Sequence, residues 1–152
     1  EKDYGWTGLS IEFNKELVEI YNKKRSNKAF CADATKFDYN HHLSALKASK
    51  KIDYLSLDID PAENTLIALK NLPHEEYRFS IITYEHDRYQ SGEIFMEESR
   101  SFLKGLGYKL VVENLNVFGK DFEDWWVDPT SVPENIWESF NHSNIEFIDL
   151  WI

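Results

Sequence analysis

The run Ile52-Asp53-Tyr54-Leu55-Ser56-Leu57-Asp58-Ile59-Asp60-Pro61-Ala62-Glu63 begins apolar and β-rich and ends in acid. Carboxylates placed like Asp58 and Asp60 can take a proton, hold a hydroxyl or ligate a hard cation. Three other predicted strands close the same way, on Glu12, Asp33 and Glu85. His86, between Glu85 and Asp87, is of a type that serves as a base or a metal ligand. Each residue also has a plainer reading. Asp60 precedes Pro61 with Glu63 three residues on, which makes a helix cap. A lone histidine at a strand end is commonly a surface residue. Phe13, beside Glu12, could face a flat ring or simply pack at a helix entry. Asp58 is harder to explain away, because a carboxylate at the end of a buried strand is costly without a donor, a cation or a ligand.

Such acids have to be positioned, and the alternation of elements supplies the means. Residues 8–12 read as a short strand. Asn14 caps a helix over residues 14–25, with Leu17, Ile20 and Tyr21 at helical spacing. A second strand covers residues 28–33 and a helix residues 39–49. The strand at residues 52–58 is expected to be buried and central, followed by a helix over residues 61–69 that Pro61 opens. A long β-branched strand covers residues 77–85. Phe95, Ser99, Phe102, Leu103 and Leu106 mark a helix of period 3.6, closed near Gly105 and Gly107. Residues 108–114 form another strand. Strand and helix in alternation predict a mostly parallel sheet with helices on both faces. Ligands of such sheets bind outside the carboxyl ends of the strands, where these acids stand. The aromatic stretch at residues 122–129 is expected to add an antiparallel edge strand. A short helix is expected over residues 132–140, and residues 145–152 are apolar without a clear pattern. With no repeat or linker, residues 1–152 read as a single domain.

Composition narrows the classes. The chain has 152 residues, 42% hydrophobic and 15% aromatic, enough for a sizeable core. Its formal charge of −10 argues against nucleic acid and against an anionic membrane surface. No apolar run approaches the length of a spanning helix. The single cysteine, Cys31, excludes an internal disulfide and fits a reducing, cytoplasmic setting. Its flanks, Ala29-Phe30 and Ala32, predict a small buried side chain. The chain opens at Glu1 and has one methionine, Met96; the expectation is a piece of a longer protein.

Gly5-Trp6-Thr7-Gly8-Leu9-Ser10-Ile11-Glu12, Cys31-Ala32-Asp33-Ala34-Thr35, the Ile52 to Asp60 run, Tyr84-Glu85-His86-Asp87 and Phe122-Glu123-Asp124-Trp125-Trp126-Val127-Asp128-Pro129 occur in an order and spacing that resembles the FkbM-type methyltransferases. The resemblance runs from Glu1 to about Pro133. It implies a Rossmann-like, class I methyltransferase fold: a three-layer sandwich around a mostly parallel sheet with an antiparallel C-terminal strand. It implies S-adenosylmethionine (SAM) as methyl donor and, as acceptor, a hydroxyl of a small molecule or sugar. Glu12 would hold the ribose hydroxyls and Phe13 would lie against the adenine. Asp33 would face the adenine amine and Ala34 would offer a backbone N–H. Asp58 would stand near the transferred methyl. Asp60, Glu85 and His86 would line the acceptor side.

The chain departs from that pattern in one respect. None of its six glycines forms the G-x-G-x-x-G turn that lets backbone approach a cofactor. The family's first strand, glycine loop and most of its first helix have no counterpart, so weak SAM binding, or none, is expected of this stretch alone. Two other readings compete. Asp58, Asp60, Glu85 and His86 could hold Mg²⁺ or Mn²⁺ in a metal-dependent hydrolase. Or the acidic edge and the Trp125-Trp126 pair could serve a non-catalytic binding module, which exposed tryptophans would favour and buried ones weaken.

Overall fold

The computed structural model describes residues 5–138, 142–143 and 145–147. Two compact units make up the chain, Glu1–Lys47 and Ala48–Ile152.

In the first unit, β1 (Ser10–Glu12) pairs in parallel with β2 (Ala29–Cys31), Glu12 opposite Cys31. Helix α1 (Lys15–Lys24) starts where Asn14 Oδ1 accepts from the N–H groups of Glu16 and Leu17, at 2.9 and 3.3 Å. Lys23 and Lys24 in its last turn suit the negative end of the helix dipole. Asn22 ties α1 to β2 by giving to and taking from the Ala29 backbone. Val18 is buried, but Leu17 and Ile20 of the expected apolar side are exposed. Helix α2 (Tyr39–Ala45) is capped by Asp38 and ends earlier than residue 49. Lys47 has a φ of 52°, the left-handed region, which a continuing helix cannot hold. Cys31 is exposed, correcting the buried reading. It is the last residue of a three-residue strand, whose end opens to solvent, and small flanking residues say nothing about that.

The second unit carries a five-stranded sheet in the order β3-β4-β6-β5-β7. Strand β3 (Lys51–Leu57) runs parallel to β4 (Arg78–Glu85). Helix α3 (Ala62–Asn71) connects them. After β4 come α4 (Arg88–Ser91) and α5 (Ile94–Gly105), then β5 (Lys109–Val117) and β6 (Lys120–Val127). Helix α6 (Glu134–Trp137) and β7 (His142–Ser143), parallel to β5, complete the unit. The core gathers Leu57, Leu66, Leu69, Ile82, Leu103, Val112, Leu115 and Trp126. Removing such side chains from water supplies most of the folding drive, about 1.5–3 kcal/mol for each one fully buried.

Two expectations for the sheet change. The aromatic strand β6 is not at the edge: it lies between β4 and β5 and is antiparallel to both. The reason is the two-residue turn Phe118–Gly119, which folds β6 back along β5. Both residues have positive φ, 53° and 74°, as a type I′ hairpin requires. Strand β3, expected to be central, is an edge strand with Leu57 as its one buried residue. Among the described residues, no strand pairs with its outer side. Tyr54 is 45% exposed and Ile81, beside it on β4, 41%.

Ion pairs to buried carboxylates fasten α5 to the sheet and β4 to the end of β6. Arg100 of α5 grips both oxygens of the fully buried Asp124 at 2.7 Å and also reaches Glu113 and Asn114. Burial alone would push the Asp124 carboxyl up, but bonds from Arg100 and His86 outweigh it and hold it below the usual carboxylate range. Arg78 grips Asp128 at 3.1 and 3.2 Å. Against its burial, Arg78 and Thr130 bring that carboxyl down to about 2. The expected helix over residues 132–140 is realised as α6; residues 139–140, and residues 148–152 of the apolar tail, lie outside the described part. Among the described residues no helix is long and apolar enough to cross a membrane.

Candidate functional site

In the second unit the site follows from strand register. Leu57 pairs with Tyr84, so the next residues, Asp58 and Glu85, fall side by side on one face. On its other side Glu85 pairs with Glu123 of β6. Three carboxyl groups therefore cross three adjacent strands in a row, beyond the carboxyl ends of β3 and β4. Asp58 is exposed, not buried as expected, because β3 is an edge. Glu85 is half-buried. Its carboxyl is pushed up to about 9, first by burial and then by the Asp58 and Asp87 carboxylates within hydrogen-bonding reach. Near neutral pH it keeps a proton that it can share with them. Burial likewise raises Glu123, whose carboxylate accepts the Trp125 indole N–H.

His86 is fully buried. Its Nδ1 accepts from the Arg88 backbone N–H at 3.2 Å, which places the ring proton on Nε2. That nitrogen lies 3.5 Å from Asp124 Oδ1. The imidazole thus joins Glu85's strand end to the buried Arg100–Asp124 pair. Asp60 is exposed and does not cap: α3 begins after Pro61 without a side-chain cap bond, and Asp60 offers its carbonyl to Asn64. Trp126 is fully buried and Trp125 partly so, which takes away the exposed pair that a binding module would present. Among the described residues no group of three or more His, Cys, Asp or Glu could hold a metal ion. The row Asp58, Glu85 and Glu123 is not such a group, and the metal-hydrolase reading loses its ligand set.

Sequence reasoning missed Glu123, Asp87, Tyr89, Phe118 and Phe122. The last three, with Glu85, Val117 and Lys120, line a cavity of about 320 Å³ at the carboxyl end of β4. The aromatic stretch signalled that residues 122–129 matter. Only the pairing of β6 with β4 says which of them reach the rim.

In the first unit, Glu12 ends β1 with Phe13 next to it, 79% exposed. Glu12 Oε1 accepts the Asn14 N–H at 2.6 Å and keeps further acceptor capacity. Asp33 Oδ1 takes the Thr35 N–H at 2.9 Å and the Thr35 hydroxyl at 2.6 Å, and Oδ2 pairs with Lys36 at 3.1 Å. These bonds hold the Asp33 carboxyl below its ordinary range, the Thr35 hydroxyl first among them. The Ala34 carbonyl accepts the Tyr39 hydroxyl, fixing the turn that follows β2. This end of the β1–β2 pair presents two acceptor carboxylates and an exposed aromatic face.

No protein-family model matches the chain, and no curated protein sequence does. A solved structure does: the Dnmt2 methyltransferase of S. pombe, at 18% identity and a TM-score of 0.56. The match covers 78% of this chain and 40% of that one, so the chain spans less than half of the structure it resembles. The likeness is one of fold: this chain has a Rossmann-like α/β fold, with a mostly parallel sheet in which the hairpin strand β6 runs antiparallel to its neighbours.

Proposed function

We propose that this chain is part of a SAM-dependent methyltransferase of the FkbM type, acting on an acceptor hydroxyl. The observation that carries this reading is the side-by-side placement of Asp58 and Glu85 at the carboxyl ends of two parallel strands, where burial and acidic neighbours push the Glu85 carboxyl up, in a fold shared with a methyltransferase. In the first unit, Glu12 is assigned the ribose hydroxyls, Phe13 a face of the adenine, and Asp33 with Ala34 its edge. In the second, Asp58 and Glu85 form the acceptor rim, with Asp60 beside them. His86 is a positioning residue, since it is buried and reaches the rim through its neighbours.

SAM, when bound, supplies an electrophilic methyl on a sulfonium. The rim residues divide the proton chemistry. Glu85 keeps its proton and gives or takes a hydrogen bond as a neutral acid. Asp58, exposed, stays available as the base. Asp58 would take the proton of the acceptor hydroxyl as that oxygen receives the methyl that SAM would supply. Most of the acceleration would come from positioning the acceptor hydroxyl rather than from the proton transfer.

The chain has no glycine-rich turn, so its SAM affinity is expected to be weak, with a Kd of about 1 mM or above. A nitrogen–proton NMR titration with SAM checks both parts. Shifts concentrated at Glu12, Phe13, Asp33 and Ala34 are expected. Tight saturation would remove the argument about the missing turn, and a response confined to other residues would remove the nucleoside assignment.

A further inference from the structure

The hairpin between β5 and β6 carries a contradiction. Its two-residue turn suits Asn-Gly, because both positions need positive φ. Here the first is Phe118, at φ 53° and 93% exposed. A bulky aromatic in the left-handed region is strained, and a fully exposed ring gains nothing from the core to offset it. The turn is nonetheless held firmly. The Glu146 carboxylate accepts the backbone N–H groups of both Phe118 and Gly119, at 3.1 and 3.2 Å, and Asn116 Oδ1 accepts from Gly119 as well. Because β6 is antiparallel to β4, this tip projects past the carboxyl end of β4, on the rim that bears Glu85. Tyr89 of α4 stands on the same cavity, and Arg88 fixes α4 to β6 through Asp121 at 2.8 Å. The Lys120 ammonium lies 5.2 Å from the Tyr89 ring centroid.

We propose that the cavity lined by Glu85, Tyr89, Val117, Phe118, Lys120 and Phe122 is the acceptor subsite, that it takes a hydroxylated aromatic ring of the phenol or catechol class, and that Phe118 selects for it. The inference rests on the methyltransferase reading for the word acceptor, but the ring-binding claim stands without it. At about 320 Å³ the cavity is at the small end of ligand sites and suits a compact ring. Three aromatic side chains favour an aromatic guest, by stacking or edge contacts, over an aliphatic one. Lys120, already placed over one ring, would lie over another and favour negative charge growing on an aryl oxygen. Glu85 supplies a hydrogen bond to the hydroxyl.

The test needs no SAM, so its failure and that of the methyltransferase reading can be told apart. Catechol and methyl β-D-glucopyranoside are titrated separately into the full chain, followed by amide shifts. Catechol is expected to move Tyr89, Phe118, Gly119, Lys120 and Phe122; the glucoside is not. Phe118→Asn relieves the turn, so its melting temperature should rise by a few degrees. Its catechol affinity should nevertheless fall by up to about tenfold. A destabilised Phe118→Asn would mean the ring is structural and overturn the assignment, as would unchanged catechol binding in that variant. Absence of shifts at these residues up to the solubility of catechol would overturn the site, and equal binding of the glucoside would overturn the aromatic class.

Discussion

Glu85 keeps its proton at a pH where an isolated carboxylic acid has lost it, and this has a thermodynamic signature. Its folded value, about 9, is raised above an ordinary 4.5. Between those values the unfolded chain releases a proton that the folded chain retains. The Glu85 contribution to stability is therefore full below about pH 4.5 and is lost as pH rises through 9. Denaturant unfolding from pH 5 to pH 9 should show this decline in the wild type, and Glu85→Gln should flatten it. A slope equal in both proteins would mean that neither burial nor the Asp58 and Asp87 carboxylates raise Glu85. The acid side belongs to another residue. Asp128, held down at about 2, stabilises above its ordinary 3.8, and that contribution is lost as pH falls through 2. Glu85→Gln should leave that limb in place. Asp58 and Glu85 were legible in the sequence as strand endings, with His86 beside them. Their burial was not: Asp58 is exposed at the end of an edge strand, and His86 is fully buried, its backbone N–H and that of Asp87 given to the Phe122 carbonyl.

Helix α5 is fastened to the sheet through Arg100, one guanidinium bonded to Asp124, Glu113 and Asn114. Truncating one partner of a buried pair strands the other charge. Arg100→Met should cost about 3–5 kcal/mol of unfolding free energy. A loss below about 1 kcal/mol would mark the pair as one that water screens. Period and punctuation found most of these elements. The Asn14 cap, the β-branched run of β4 and the 3.6 period of α5 are local signals, and the structure keeps all three. The place of β6 is not local. Nothing in residues 122–129 says that the strand lies between two others; that follows from the Phe118–Gly119 turn and from Trp126 finding the core. Glu123 was missed for the same reason, since its role depends on which residue of β4 it faces.

The two units differ in how much holds them. The first pairs two three-residue strands, and isolated two-stranded sheets are marginal in water. The second has five strands, buried ion pairs and a core centred on Trp126. Hydrogen exchange should divide the chain accordingly, with the amides of β1 and β2 exchanging through low-energy openings and those of β4 and β6 only on global unfolding. Equal protection across both units would contradict this. Within the second unit, β3 has every other amide turned toward β4 and, among the described residues, the rest toward no strand. Deuterium should enter β3 as a stripe, alternate residues labelling fast and slow along one seven-residue segment. Anything that seals the vacant side, whether a covalent extension or a peptide added in solution, would be recorded as the stripe fading to uniform protection.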